Sequence, residues 1–378
     1  MRRFAVIAVI LGLALGGAGC GELPDVTTVK DLRVLAVKCE PAGFLVNLDD
    51  PGGTKPGGAT QADYTAQITA LVADPLAPGG TLSISAVACP DILDTITAAT
   101  GKATKTCSPP PTTPPAAGTP EFYLSTTTIV PSDMPLSVPP TPGMDYVWQP
   151  TLSYGLRTDQ VGAFFTLTGA DATLDKAIQY NRDFGVSAIV NAAFDINNEH
   201  ALAIKNVVYW PRLDPNQQPN TNPTLAGILL YQHRDKDTGD PVDPWPDQNP
   251  TLSISAGDKL FVAPDYLPGP GYAGAADQNY LLRVNNTATD PDTVDTKVVE
   301  RELIRFQFYA TAGTFSPEQQ QSEVDPILAP GTRLHTDSEY GLPKASELPP
   351  DGKVTIWVIT HDERAGSDWM STTITVVP

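Results

Sequence analysis

The sequence predicts an all-β protein built from two β-sandwich domains in series, and three observations carry that prediction. Thirty-eight prolines and thirty glycines in 378 residues cut the chain into pieces too short for long helices. The apolar pieces between them, such as "LRVLAV", "AQITALVA" and "LSISAVA", alternate or run continuously, as strands do. One layout also occurs twice. "VSAIVNAAFDINNEHALAIKNVVYW" from Val186 and "VTIWVITHDERAGSDWMSTTITVV" from Val354 each read as a strand, an acidic turn holding a histidine and a returning strand.

The first elements concern export. Arg2 and Arg3 precede an apolar run from Phe4 to Leu15, then "GGAGC" ends at Cys20; residues 1–19 read as a signal peptide, too short to remain as a membrane span. Small residues before Cys20 resemble the lipobox of bacterial lipoproteins, which implies that the Cys20 thiol is acylated; several acyl chains on one cysteine anchor a protein firmly. Residues 20–30, "CGELPDVTTVK", are expected to form a tether.

The first domain is expected over 31–212. Turns at "DDPGG", "KPGG" and "APGG" separate its strands. Its middle carries a long irregular insertion: "SPPPTTPPAAGTP" from Ser108 predicts exposed polyproline, "FYLSTTTIV" and "GAFFTLTG" predict strands, and "TLDKAIQYNRDF" predicts two helical turns. "PRLDPNQQPNTNPTL", rich in Pro and Asn, reads as the linker, placed at 213–222. In the second domain, 223–378, "DKLFVAPDY" takes the place of "AQITALVADP", and "LIRFQFYATAG" that of "TLSISAVACP". A charged tip that recurs with different residues is what a solvated hairpin turn needs. His361, Asp362, Glu363 and Arg364 are therefore expected to be wetted turn residues, with Glu363 and Arg364 as an exposed ion pair.

A formal charge of −19 argues against nucleic-acid binding, which needs excess Lys and Arg. Export makes disulfides permissible. With Cys20 assigned to lipid, Cys39, Cys89 and Cys107 remain; Cys89 with Cys107 is the expected bridge, worth roughly 3 kcal/mol through the unfolded state. Cys39 is expected to be a buried or free thiol.

The ordered motifs "LRVLAVKCEPA", "ITALVADP", "ACP", "AIKNVVYW" with "NTNPTL", "FYATAGTFS" and "VTIWVITHDERAGSDW" resemble those of myxobacterial-type lipoproteins with tandem immunoglobulin-like or PKD-like domains. That resemblance implies an immunoglobulin-like topology outside the cytoplasm and no assigned chemistry. The chain departs from such relatives at Cys39 and in the stretch 108–185.

The four histidines lie far apart, without zinc spacing, and no P-loop, dinucleotide fingerprint or nucleophile elbow occurs. Asp235, Asp237, Asp240 and Asp243, with Asp247 beyond, offer oxygen ligands in "HRDKDTGDPVDPWPDQN", the candidate calcium site. Trp245, between prolines, is the candidate sugar contact. The expectation is a non-enzymatic protein anchored by lipid in the cell envelope, at the outer membrane because Gly21 replaces a retaining Asp. Its role would be structural, adhesive or scaffolding, with envelope proteins or surface glycans as partners and no cofactor. The alternative is a calcium- or carbohydrate-dependent binding module.

Overall fold

Short alternating segments find partners by burying one face, and here they do so in two pairs of sheets. The computed structural model describes residues 27–46, 64–90, 126–156, 161–162, 165, 185–212, 219–237, 239–266, 279–285, 294–301, 304–321, 336–362 and 364–378. These residues are all-β, as expected from the sequence.

In the first half, β1 (Arg33–Glu40), β3 (Thr65–Ala73), β7 (Val147–Trp148) and β8 (Thr151–Gly155) form a four-stranded sheet. Facing it is a six-stranded sheet of β2 (Phe44–Val46), β4 (Leu82–Pro90), β5 (Thr127–Val130), β6 (Leu136–Val138), β9 (Val186–Ile196) and β10 (Glu199–Pro211). The inward phase of each strand fills one core, with Ile68, Ile84, Trp148, Phe194 and Tyr209. In the second half, β11 (Leu225–Arg234), β12 (Pro241–Pro244), β14 (Leu260–Tyr266), β18 (Thr314–Ser316) and β20 (Ser338–Gly341) form one five-stranded sheet. The other has the order β13 (Thr251–Ser253), β22 (Ser367–Val377), β21 (Lys353–His361), β17 (Arg305–Ala310), β19 (Gln319–Gln321). Phe306, Phe308, Tyr340, Ile356 and Ile374 lie in their shared core. A separate ribbon pairs β15 (Asn279–Asn285) with β16 (Val294–Arg301).

The strand pairing of one half repeats in the other. β10 runs antiparallel to β9 and ends parallel to the short β2, with Tyr209 opposite Phe44. β22 likewise runs antiparallel to β21 and ends parallel to β13, with Thr375 opposite Thr251. β4 beside β9 matches β17 beside β21, as the aligned sequence segments anticipate.

A third apolar cluster joins the halves. Leu35 and Ala36 of β1, Leu71 and Ala73 of β3, and Val147 of β7 pack with Trp357 and Ile359 of β21. β21 is thus buried on both faces along most of its length, which explains why "VTIWVIT" reads as a continuous apolar run. Burying Trp357 and Ile359 contributes roughly 1.5–3 kcal/mol each.

Three expectations change. Residues 27–29, the last part of the expected tether, are built into the second half: Val29 N–H donates to Ala310 O at 2.8 Å and Ala310 N–H to Thr27 O at 2.9 Å. Asn220 and Asn222 of the expected linker are 2% and 8% exposed, because their amides serve the packed junction described below. In "GAFFTLTG", Gly162 and Phe165 have helical and not extended backbone, with Phe165 in the first core. The polyproline segment, the two expected helical turns and residues 1–26 lie outside the described residues.

Candidate functional site

Where the two halves meet, polar side chains from β10, the linker and the β21–β22 turn converge. Lys205 occupies the inward phase of β10, between Ala203 and Val207, yet its stem runs out of the first core toward the turn. Nζ donates to Ala365 O at 2.6 Å and to Ser367 Oγ at 3.3 Å. Only 8% of Lys205 is exposed; burial lowers its pKa against the pull of Cys39 and Asp362.

Asn220 and Asn222 clamp the same turn. Asn220 Nδ2 donates to Asp362 Oδ2 at 3.0 Å and Arg364 O at 3.3 Å. Asn222 Nδ2 donates to Cys39 O and Glu40 Oε2, while its Oδ1 accepts from Ser367 N–H. One side chain therefore links β1 of the first half to β22 of the second. Lys38 Nζ adds an ion pair to Asp368 at 3.2 Å.

Asp362 organises the turn from inside: its Oδ1 accepts the N–H groups of Arg364 and Gly366. Burial raises its pKa against the bonds from Asn220 and Gly366. A Cβ at position 366 would strike the Asp362 carboxylate, so glycine is required there. Ala365 sits at φ 75°, in the left-handed region that costs a non-glycine residue about 1–2 kcal/mol.

His361 Nδ1 lies 3.1 Å from Ser367 Oγ and Nε2 lies 3.2 Å from Gln307 Oε1. The amide oxygen only accepts, so Nε2 carries the proton and Nδ1 accepts from Ser367. Burial, Lys205 and Arg305 drive its pKa down to about 4. His361 and Asp362 point to different partners, so no acid–base dyad forms between them. Beside them lies an open groove of about 460 Å³ lined by Arg305, Gln307, Gln319, His361 and Asp362.

The expectation of a wetted, exposed tip at 361–364 is overturned: Arg364 is 7% exposed, and Asp362 is consumed by the fold. Glu363 lies outside the described residues. The equivalent tip at Asp195 and His200 does behave as expected, with an ion pair of 2.7 Å and both side chains more than half exposed.

Of the candidate calcium residues, Asp235, Asp237 and Asp240 lie on one turn. Asp235 Oδ1 accepts from Asp237 N–H, and Asp235 N–H donates to Asp240 O, closing the β11–β12 turn. Asp243 pairs instead with His233 at 3.2 Å. Among the described residues no group of three or more His, Cys, Asp or Glu is placed to hold a metal. Trp245 packs against the second core instead of standing in solvent. Cys20 and Cys107 lie outside the described residues; Cys89 is disulfide-bonded. Cys39 is free and buried, and burial pushes its thiol up to about 11, which leaves no thiolate to act as a nucleophile.

Sequence reading missed Lys205, Asn220 and Asn222. The available signal was a lysine on the inward phase of an alternating strand, and a polar Asn-Thr-Asn run entering the next strand.

No family model matches the chain and no curated protein matches it. Among solved structures it is similar to red sea bream transglutaminase, with a TM-score of 0.21, 9% identity and coverage of 93% of this chain and 32% of that one. It is also similar to dimeric latent PorU of Porphyromonas gingivalis, at 0.17 and 7%, covering 93% and 24%. Escherichia coli alpha-2-macroglobulin activated by porcine elastase gives 0.21 and 10%, covering 94% and 22%. The chain spans about a third or less of those three chains, and likeness this faint carries no argument about activity.

Proposed function

We propose that the protein is a non-enzymatic, lipid-anchored envelope protein whose two immunoglobulin-like sandwiches, arranged in tandem, act as one stiff structural or scaffolding body. The observation that supports this reading most is the junction itself. Lys205, Asn220, Asn222 and Asp362, the groups best suited to chemistry by their burial, are all used to hold one half against the other. An apolar patch ringed by side-chain hydrogen bonds from one half to the other resists hinge motion, whereas domains joined by a small polar interface move. Acylation of Cys20 and a Cys89–Cys107 bridge belong to this reading, with the outer membrane as the location.

The test is a distance measurement. Spin labels at His200 and Lys344, both exposed, should give a single narrow distance distribution by pulsed electron resonance; a broad or bimodal one would refute the stiff body. The groove beside His361 favours a second reading, a glycan-binding module, because a guanidinium and two amides on its lining suit hydroxyl recognition. A glycan array that lights up with the wild type and goes dark with Arg305→Ala would establish it.

A further inference from the structure

The groove beside His361 forms where β17, β19 and β21 pair, with Arg305 opposite His361 on one side and Gln321 on the other. Its lining side chains do not offer donors and acceptors equally. Gln307 Oε1 accepts from His361 Nε2–H at 3.2 Å and from Tyr309 O–H at 3.4 Å, which leaves the two N–H groups of its amide. The Asp362 carboxylate is engaged on both oxygens, Oδ1 by the N–H groups of Arg364 and Gly366 and Oδ2 by Asn220. His361 Nδ1 accepts from Ser367 Oγ–H. Arg305, exposed on β17, has only donors.

Apart from the Gln319 amide, which can do either, the acceptors on the lining are therefore committed and the donors are in surplus. A sugar hydroxyl brings a proton with its lone pairs, and beside Arg305 that proton finds no acceptor. A carboxylate accepts without donating, and a guanidinium holds it through two parallel bonds. The local charge has the matching sign. The chain as a whole carries −19, yet at His361 burial disfavours the imidazolium and the charges of Lys205 and Arg305 add to that effect, so these two cations make the potential at the ring positive. Asp362, the carboxylate on the lining, is offset by Arg364.

We infer that the groove takes an acidic sugar, a uronate residue whose carboxylate lies on the Arg305 guanidinium and whose hydroxyls meet the Gln307 and Gln319 amides. This rests on the glycan reading of the same groove and names the class of glycan. The two amides favour a sugar over an acidic peptide, because they have hydroxyls to pair with.

Calorimetric titration of the full-length chain with galacturonate, glucuronate and mannuronate trisaccharides, each beside its neutral counterpart, tests it. One acidic sugar should bind about tenfold more tightly than its neutral counterpart, since hydrogen bonds to charged groups outweigh neutral ones. Its affinity should fall as salt is raised. Arg305→Gln keeps hydrogen-bonding capacity without the charge and should bring that ratio to about one; circular dichroism checks that the variant folds, as an exposed site allows. Equal affinities for acidic and neutral sugars would overturn the inference and leave the glycan reading standing, whereas binding of none of them would overturn both. A preference that survives Arg305→Gln would also overturn it. So would a glutamate tripeptide bound as tightly as the acidic sugar, which would make the ligand a peptide.

Discussion

The two β-hairpins that close the two halves have one topology and opposite fates. β9–β10 ends in Asn197 and Asn198 at φ 47° and 69°, a turn whose residues tolerate the left-handed region through short polar side chains. Its Asp195–His200 pair stands in solvent. β21–β22 ends in a turn held by Asp362, with Lys205 and two asparagines bound to it. The same architecture therefore does different work according to what packs on it: an end exposed to water needs only turn chemistry, and an end pressed into a junction draws its carboxylate and backbone groups onto partners from other elements.

The sharpest way to break the comparison is at the outward faces. Trp357→Ala should cost about 3–5 kcal/mol in chemical denaturation, because a buried indole at the junction leaves a cavity. Leu202→Ala, on the outward face of β10 where Leu202 is 70% exposed, should cost less than about 0.5 kcal/mol in dilute solution. Equal costs would mean that the two faces are not distinct.

The tips come next. Asp362→Ala strands the amide of Asn220 and the N–H groups of Arg364 and Gly366, and should destabilise by about 3 kcal/mol. Asp195→Ala, which loses one exposed pair, should stay within about 0.5 kcal/mol. Urea unfolding of both variants measures the contrast directly.

The last effect is a pH dependence built into the β21–β22 tip. His361 has a folded pKa of about 4 against an ordinary value of 6.5. As pH falls below 6.5 the unfolded chain takes up the proton first, so stability drops until about pH 4, by no more than about 3 kcal/mol. Asp362, whose carboxyl is shifted upward, opposes this by tolerating protonation in the folded state. The slope of stability against pH between 6.5 and 4 should flatten in His361→Gln; an unchanged slope in that variant would refute the buried neutral imidazole.

Much of this architecture was legible in the sequence, for identifiable reasons. "TLSISAVAC" and "IRFQFYA" alternate with the period of a strand, so their inward residues and equivalent places could be named. The β9–β10 tip could be read because its residues interact with each other and with water. The β21–β22 tip could not, because its partners lie far away: Asn220 is 142 residues and Lys205 160 residues from the groups they bind. Local charge in "HDERAG" gives no sign of burial by another half of the molecule.

Thr27–Val29, fastened along β17, hooks the residues that precede the first half onto the second, so a trim at this end of the described chain would loosen the far half before the near one.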